Sequence, residues 1–382
     1  MKQLPQCDIS EVLYRKASRA LLPLSGTFEL SPVCNFDCKM CYVRKSAAEV
    51  AAHDRPIRTL EDWRRTAREA REAGMLFLLL TGGEPFLWPD FWTLYEELAK
   101  MGLIVSINTN GSLIDGAAIA RLRKHPPRRI NITLYGAGDE TYYRLCGVRG
   151  MFDRVDRAIR GLREAGICVK LNCSLTPYNE HDLEAMIAYA QALDLQIDVT
   201  SYMFPPIRRD EDSVGVNRGR FSPEESARYR LRAYQLQNPP EYYQRLLQDI
   251  RAGYMDPPGL DEGCYDPLDG RIRCRAGKAS FWITWDGWMT PCGLMPRPEV
   301  DLRQRSFAQA WQQLTGKSAA VRLSGVCAQC SNQRVCHPCA AMAIAETGSS
   351  EGIPQYLCRT VQEMQRIARC ETETLAARQF FK

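Results

Sequence analysis

The sequence between about residues 26 and 202 alternates short apolar runs with helical patterns. The pattern repeats every thirty residues or so, about the length typical of βα units whose parallel strands are joined by right-handed crossovers. Six such units are two short of a complete eight-fold barrel, so we predict an α/β fold with a partial (β/α)6 barrel that has an open side. The six predicted strands span residues 27–30, 76–80, 103–108, 129–134, 168–175 and 196–201.

Capping residues mark several helix starts in and after this region. Thr59, with Asp62 three residues on, and Asn179 are predicted N-caps of barrel helices. Ser222 followed by Pro223 predicts the start of a helical linker. The chain is thus expected to divide into an N-terminal extension (1–25), the barrel (26–203), a loop and helical linker (204–260) and a small cysteine-rich α+β domain (261–382).

Sixteen of the 382 residues are cysteine, and most of them are clustered. The sequence has no apolar run of about 18 residues and no basic stretch leading into an apolar core at its start. We therefore expect a cytoplasmic protein that neither is secreted nor spans a membrane. In a reducing compartment, clustered C-x2-C pairs are more often metal ligands than disulfides. The net charge of +5 is spread along the chain, so the sequence predicts no basic patch that would bind nucleic acid.

The first cysteine cluster follows the first predicted strand. Cys34, Cys38 and Cys41 form a C-x3-C-x2-C loop, and three thiolates can hold three irons of a [4Fe-4S] cube while the fourth iron stays open to a ligand. At the end of the second strand, Gly82-Gly83-Glu84 offers two residues that allow close backbone approach and a carboxylate that can meet a cation. A zinc site or unrelated buried thiols, with a plain strand-to-helix turn, would be the alternatives.

Together, the cysteine triplet and the Gly-Gly-Glu motif resemble the radical S-adenosylmethionine (SAM) superfamily over roughly residues 28–202. The resemblance implies that the methionine amino and carboxylate groups of SAM chelate the open iron, with the Gly-Gly-Glu motif holding the amino group. The reduced cluster would then cleave SAM to methionine and a 5'-deoxyadenosyl radical, which abstracts a hydrogen atom from the substrate.

The resemblance implies further SAM contacts, at Asn110, Thr133, Arg144 and Asn172. Each also has an ordinary explanation: a turn residue, a strand hydroxyl, a surface arginine or a core amide. The family usually has an aromatic residue before the third cysteine. Here that residue is Met40, with Tyr42 just after Cys41, and both are candidate contacts of the cofactor.

A second set of cysteines occupies the C-terminal part of the chain. Cys274 and Cys292 flank two short strand patterns joined by Asp286-Gly287, a pair favoured in tight hairpins. The remaining cysteines of this set follow the hairpin at positions Cys327, Cys330, Cys336, Cys339 and Cys358.

This pattern resembles the SPASM extension of radical SAM enzymes, which binds two auxiliary [4Fe-4S] clusters. The resemblance assigns one auxiliary cluster to Cys264, Cys274, Cys292 and Cys339, and the other to Cys327, Cys330, Cys336 and Cys358. A zinc knuckle over residues 327–339 is the alternative, but zinc would need only four ligands and would leave the other four cysteines unexplained.

The expected function is oxidative modification of a peptide, as in maturases of ribosomally made peptides, because auxiliary clusters can accept an electron from a substrate radical. The expected cofactors are SAM and three [4Fe-4S] clusters, and the expected partners are a peptide or protein substrate and a reductant such as flavodoxin or ferredoxin. Cys146 is a candidate hydrogen-atom donor, with an inert thiol as the alternative. A small-molecule radical SAM dehydrogenase or biosynthetic enzyme and a non-catalytic metal-cluster scaffold remain open.

Overall fold

The computed structural model describes residues 9–209, 213–217, 219–255 and 270–380. Of the predicted functional residues, only Cys264 lies outside these ranges. The strands of the described part are β1 (Ser25–Glu29), β2 (Phe77–Thr81), β3 (Ile104–Thr109), β4 (Arg129–Thr133), β5 (Val169–Ser174), β6 (Ile197–Thr200), β7 (Ser280–Ile283), β8 (Trp288–Thr290) and β9 (Val300–Asp301).

These strands form one sheet in the order β6-β5-β4-β3-β2-β1-β7-β8-β9. Strands β1 to β6 are parallel neighbours in chain order, and their ends agree with the predicted ones to within two residues. The partial (β/α)6 barrel predicted from the sequence is therefore confirmed. Because the strands are parallel, their carboxyl ends all lie at the same edge, where the Gly-Gly-Glu motif and the cysteine triplet follow them.

The helices alternate with the strands in the barrel and dominate the rest of the chain. They are α1 (Ile9–Ala20), α2 (Ala47–Ala51), α3 (Leu60–Glu72), α4 (Phe91–Lys100), α5 (Gly116–Lys124), α6 (Asp139–Cys146), α7 (Phe152–Glu164), α8 (Leu183–Ala192), α9 (Pro223–Gln237), α10 (Pro240–Arg251), α11 (Phe307–Ala319), α12 (Gly325–Ala328), α13 (Gln333–Cys336), α14 (Ala340–Thr347) and α15 (Gln355–Phe380). Two short 3-10 turns span Pro85–Leu87 and Glu180–Asp182.

Two of the predicted helix starts form as expected and one does not. Thr59 accepts a hydrogen bond from the Asp62 N–H at the start of α3, and Ser222 caps α9 with Pro223 in the first turn. Asn179 does not cap α8, which begins four residues later after a 3-10 turn. Its side chain instead bonds the backbone around the ends of β4 and β5, donating to Tyr135 O at 2.9 Å.

The two faces of the barrel sheet differ in polarity. On the helix side, Phe28 of β1 is fully buried and stacks on Trp63 of α3, with ring centroids 4.7 Å apart. The opposite, concave face carries polar side chains, and Asn131 of β4 donates to Asn108 Oδ1 of β3 at 2.7 Å. The apolar helix side holds the fold together, whereas the concave face is free to meet a polar ligand.

The C-terminal part continues the barrel sheet instead of standing apart from it. Strand β7 pairs in parallel with β1, and β8 and β9 add antiparallel strands beyond it. The predicted hairpin forms between β7 and β8, and Gly287 adopts a φ of +94° in its turn, a conformation that glycine accepts without strain. Helix α15 packs against α9 and α10 through a separate cluster that includes Leu247 and Met364.

No described helix combines the length and the apolar composition needed to cross a bilayer.

Candidate functional site

The loop after β1, residues 30–41 and called the cysteine loop below, lies directly against the Gly-Gly-Glu motif. The N–H of Gly83 donates to Ser31 O at 2.8 Å, and that of Glu84 donates to Val33 O at 3.0 Å. A Cβ on Gly82 would lie 2.4 Å from Ser31 O, and one on Gly83 would lie 2.5 Å from Val33 O. The two glycines are thus required for the close approach of these two backbone segments to one another.

The three cysteines of this loop are largely shielded from solvent, and backbone N–H groups point at two of their sulfurs. Phe36 N lies 3.4 Å from Cys34 Sγ, and Arg44 N lies 3.3 Å from Cys41 Sγ. Burial raises the pKa of Cys34 to about 12 and also raises that of Cys41. Such thiols ionise readily only beside a positive charge, so a cluster with an iron for each sulfur fits this donor set.

Glu84 is fully buried at the centre of the site, and three donors surround its carboxylate. Thr109 Oγ1 lies 2.9 Å from each carboxylate oxygen, Asn110 N donates to Oε2 at 2.8 Å, and Phe86 N donates to Oε1 at 3.2 Å. Burial raises the pKa of Glu84 to about 7, against the lowering effect of these bonds. Asn110 also reaches Cys34, with 3.7 Å from its Nδ2 to the sulfur, so one residue joins the carboxylate to the triplet.

The other predicted SAM contacts differ in how they lie relative to this centre. Thr133 of β4 and Asn172 of β5 are register partners and are half-buried at the carboxyl ends of their strands. Met40 is half-buried in the cysteine loop, and a Cβ on Gly219 would lie 3.6 Å from its Cα. Arg144 is exposed on α6. Thr133 and Asn172 are therefore close to the carboxyl edge of the sheet, and Met40 lies in the loop that follows β1 at that edge, whereas Arg144 faces solvent.

Cys146 lies behind the cysteine loop, at the end of α6. Its carbonyl accepts from Asp37 N at 2.9 Å, and that of Leu145 accepts from Lys39 N at 3.0 Å. Its thiol is fully buried and hydrogen-bonds Cys38, which raises the pKa of Cys38. The geometry therefore places Cys146 next to Cys38, a predicted cluster ligand. In this position the Cys146 thiol can orient the Cys38 sulfur by a hydrogen bond without binding iron itself.

A buried ion pair that was not predicted from the sequence lies beside Tyr42. Glu29, at the end of β1, has no solvent exposure and accepts two bonds from Arg208 Nη2, at 2.8 and 2.7 Å, and one from Trp282 Nε1 at 2.9 Å. Arg208 also donates to Gly293 O at 3.1 Å, and burial raises the pKa of Tyr42 to about 12. A glutamate at the end of β1 was the available signal for this site, but its arginine partner lies 179 residues away.

The C-terminal cysteines form two separate groups. Cys274, Cys292 and Cys339 line a cavity of about 230 Å³ whose wall is mostly apolar, with Ile272 and Met295 among its residues. Burial raises the pKa of Cys292 to about 12, and the other two thiols add to the shift. The predicted fourth ligand, Cys264, lies outside the described residues.

The second group contains Cys327, Cys330, Cys336 and Cys358. Burial raises the pKa of Cys336 to about 12, and the nearby thiols of Cys358, Cys327 and Cys330 raise it further. No three described His, Cys, Asp or Glu side chains converge as ligands of one metal ion. Within each group the described thiols raise one another's pKa and so lie close together, and such a set fits the thiolate donors of a [4Fe-4S] cluster.

Comparisons with known proteins extend over most of the chain. The family model described as the radical SAM superfamily matches residues 28–190. The chain is 24% identical over 334 residues to an AdoMet-dependent heme synthase of Methanosarcina barkeri, covering 84% of this chain and 92% of that protein. It is 33% identical over 272 residues to a probable GTP 3',8-cyclase of Saccharolobus islandicus, covering 69% of this chain and 80% of that protein.

Among solved structures, the fold is similar to that of SuiB from Streptococcus suis. The complex of SuiB with precursor peptide SuiA has a TM-score of 0.65 at 19% identity, covering 92% of this chain and 79% of that chain. SuiB bound to S-adenosylmethionine has a TM-score of 0.63 at 18% identity, covering 92% of this chain and 78% of that chain. The likeness therefore includes both the barrel and the cysteine-rich part.

Proposed function

The chain belongs to the radical SAM superfamily, and from that premise we propose that it cleaves SAM reductively and oxidises a peptide substrate by hydrogen-atom abstraction. The observation that carries the proposal is the junction of Glu84, Asn110 and Cys34, which joins a buried carboxylate to the cysteine triplet. A cluster bound by the triplet would supply one electron to SAM, giving methionine and a 5'-deoxyadenosyl radical.

The residues of the chain would bind and orient SAM. The Glu84 carboxylate, kept dry by complete burial, would accept hydrogen bonds from the methionine amino group. Thr109 and Asn110 N already fix both oxygens of that carboxylate, so little reorganisation would accompany binding. Thr133 and Asn172 would contact the rest of SAM from the next strands.

The proposal of three [4Fe-4S] clusters is supported by three groups of cysteines. Cys34, Cys38 and Cys41 would hold the SAM cluster, and the two C-terminal groups, with Cys264 in the first, would hold auxiliary clusters. These would accept the electron that an oxidised substrate radical must lose. A reductant such as flavodoxin or ferredoxin would supply the electron for SAM cleavage.

A peptide substrate is favoured by the polar concave face and by the likeness to SuiB, which has been crystallised with a precursor peptide. A small-molecule substrate is the second candidate, because the chain is also similar to an AdoMet-dependent heme synthase and, at 33% identity, to a probable GTP 3',8-cyclase. A non-catalytic scaffold is disfavoured because it would have no use for an open cluster position beside a buried carboxylate.

Two measurements test the proposal. Anaerobic, reconstituted and reduced enzyme should release 5'-deoxyadenosine from SAM, and the Cys34→Ala/Cys38→Ala/Cys41→Ala variant should not. A non-catalytic scaffold would release no 5'-deoxyadenosine, either as the wild type or as the triple variant. Incubation with the peptide encoded nearest the gene should give a product lighter by two hydrogen atoms in mass spectrometry. Turnover of a small metabolite without any peptide change would decide for the second candidate.

A further inference from the structure

A cavity of about 260 Å³ lies against the concave face at the amino-terminal ends of β1 to β4. Thr27, Ser106 and Asn131 line it from the strands, and Trp282 and Cys292 line it from the C-terminal part. The residues proposed to bind SAM lie at the opposite, carboxyl ends of the same strands. The cavity is thus a second compartment of the barrel, next to one wall of the first C-terminal cysteine group.

Two polar atoms of residues that line this cavity are buried and lack a hydrogen-bond partner in the described part of the chain. They are Arg129 Nε and Asn131 Oδ1. Asn131 is only 8% exposed, and its Nδ2 already donates to Asn108 Oδ1 at 2.7 Å. A buried polar atom without a partner is unfavourable by about 1–3 kcal/mol, so a ligand that supplies an acceptor for Arg129 and a donor for Asn131 would relieve this.

The cavity also carries positive charge that no carboxylate of the described residues neutralises by an ion pair. Arg128 and Arg129 both line it, and neither forms an ion pair with any described residue. Arg128 lies over the Phe77 ring, 5.1 Å from its centroid. By contrast, Arg275, which lies near the cavity over the Tyr14 ring, is paired with Glu11 of α1 at 2.5 Å. Guanidinium groups bind carboxylates and phosphates through paired hydrogen bonds.

We propose that this cavity binds an anionic group of the substrate, a carboxylate or a phosphate, with Arg129 as its main contact. Arg128 adds a second positive charge at the mouth, and Asn131 Oδ1 accepts a hydrogen bond from the same ligand. The proposal rests on the proposed function, because it assigns the anion to the substrate. From Arg129 to Thr133 the strand spans about 13 Å, a length that an extended peptide of about four residues or a nucleotide covers.

The test measures binding and needs no turnover. The full chain, reconstituted anaerobically, is titrated by calorimetry with inorganic pyrophosphate, with N-acetyl-trialanine bearing a free carboxylate, and with the amide of the same peptide. The wild type should bind pyrophosphate or the free acid, and Arg129→Gln should weaken that binding about tenfold or more, as loss of a charge-assisted contact predicts. Arg123→Gln, an exposed arginine on α5, is the matched control and should bind as the wild type does.

Each outcome of these titrations either supports or overturns the proposed anion site. Preference for the free acid assigns the site to a peptide carboxylate, and preference for pyrophosphate assigns it to a phosphate. No binding of pyrophosphate or the free acid by the wild type, or binding that Arg129→Gln leaves unchanged, would overturn the proposal. Equal binding of acid and amide by a wild type that does not bind pyrophosphate would overturn it as well. Should Arg129→Gln not fold, the exposed Arg128→Gln should still weaken binding a few-fold. An enzyme that binds the anion but never releases 5'-deoxyadenosine would refute the proposed function alone.

Discussion

Glu84 is a buried carboxylate whose three described hydrogen-bond donors are all neutral: two backbone N–H groups and the hydroxyl of Thr109, which lies within bonding distance of both oxygens. A buried charge normally needs a cation or becomes protonated, and here burial has raised the pKa to about 7. The site is therefore arranged for a ligand that donates further hydrogen bonds to the carboxylate, as the amino group of SAM would beside the positively charged iron.

Replacing Glu84 with glutamine should weaken SAM binding by about 10 to 100-fold, since hydrogen bonds to a charged group contribute about 1.5–3 kcal/mol. Equilibrium dialysis of SAM against reconstituted, unreduced enzyme measures the change. Glu72→Gln, an exposed position at the end of α3, is the control and should bind SAM normally. Equal affinity in the Glu84→Gln variant would exclude Glu84 from the SAM site.

The raised pKa of Glu84 gives SAM binding a definite pH dependence. Its protonated form cannot accept hydrogen bonds with both oxygens, so affinity should fall as the pH drops through about 7. A carboxylate of that pKa is roughly ten times more ionised at pH 8 than at pH 6, so SAM should bind about tenfold tighter at pH 8. The Glu84→Gln variant should show a flat profile over this range, and a flat wild-type profile would contradict the assignment.

The motif residues could be found from sequence because each group is contiguous in the chain. Glu84 and the cysteine triplet stand out by their spacing alone. Glu29 was not singled out, because a lone glutamate at a strand end has no meaning until Arg208 is brought next to it by folding. Arg129 was missed for a similar reason: nothing in the sequence shows that it has no ion-pair partner among the residues that the structure describes.

At the level of elements, the segment after β6 is fastened to the rest of the molecule by two buried ion pairs. Arg208 binds Glu29 of β1, and Arg220 binds Glu346 of α14, with N–O distances of 2.7 and 2.6 Å. The second carboxylate also accepts from Tyr202 at 2.6 Å. The start of this segment was predicted as a loop, and the two long-range ion pairs fix the positions of Arg208 and Arg220 within it.

Arg208→Met should destabilise the protein by about 3–5 kcal/mol, because it leaves the Glu29 charge buried without its partner. The double variant Glu29→Gln/Arg208→Met should recover much of that loss, and denaturant unfolding measures both. Arg121→Met removes an exposed pair with Glu96 and should change stability little. A double variant no more stable than Arg208→Met would mean that the arginine acts through packing instead.

For the molecule as a whole, the barrel and the cysteine-rich part share one sheet, since β7 pairs with β1 over four residue positions. The six barrel strands and the β7–β8 hairpin were predicted from the sequence, but the pairing of β7 with β1 was not. Parallel pairing between strands that are distant in the chain leaves no local sequence signal. The proposed domain limits were drawn from the composition of the barrel and of the cysteine-rich part, whereas a single sheet runs through both.

The two C-terminal cysteine groups lead to the last prediction, which concerns cluster content. Wild-type enzyme should hold about twelve irons after anaerobic reconstitution, and the variant lacking Cys34, Cys38 and Cys41 about eight. Cys274→Ala/Cys292→Ala should remove about four irons, and Cys336→Ala/Cys358→Ala about four others, because a cluster that loses two thiolates is lost entirely and metal binding is coupled to folding.

The combined variant of both C-terminal pairs should keep about four irons and still bind SAM, since the cysteine loop is held by β1, β2 and α6 rather than by the C-terminal part. Iron analysis and electron paramagnetic resonance of each reduced variant measure these losses, and Cys168→Ala, an exposed thiol outside all three groups, should leave all twelve irons in place. Zinc in place of iron, or the loss of a single iron per variant, would show that the two groups are not separate [4Fe-4S] sites. Retention of SAM binding by the combined variant distinguishes loss of the auxiliary clusters from collapse of the barrel.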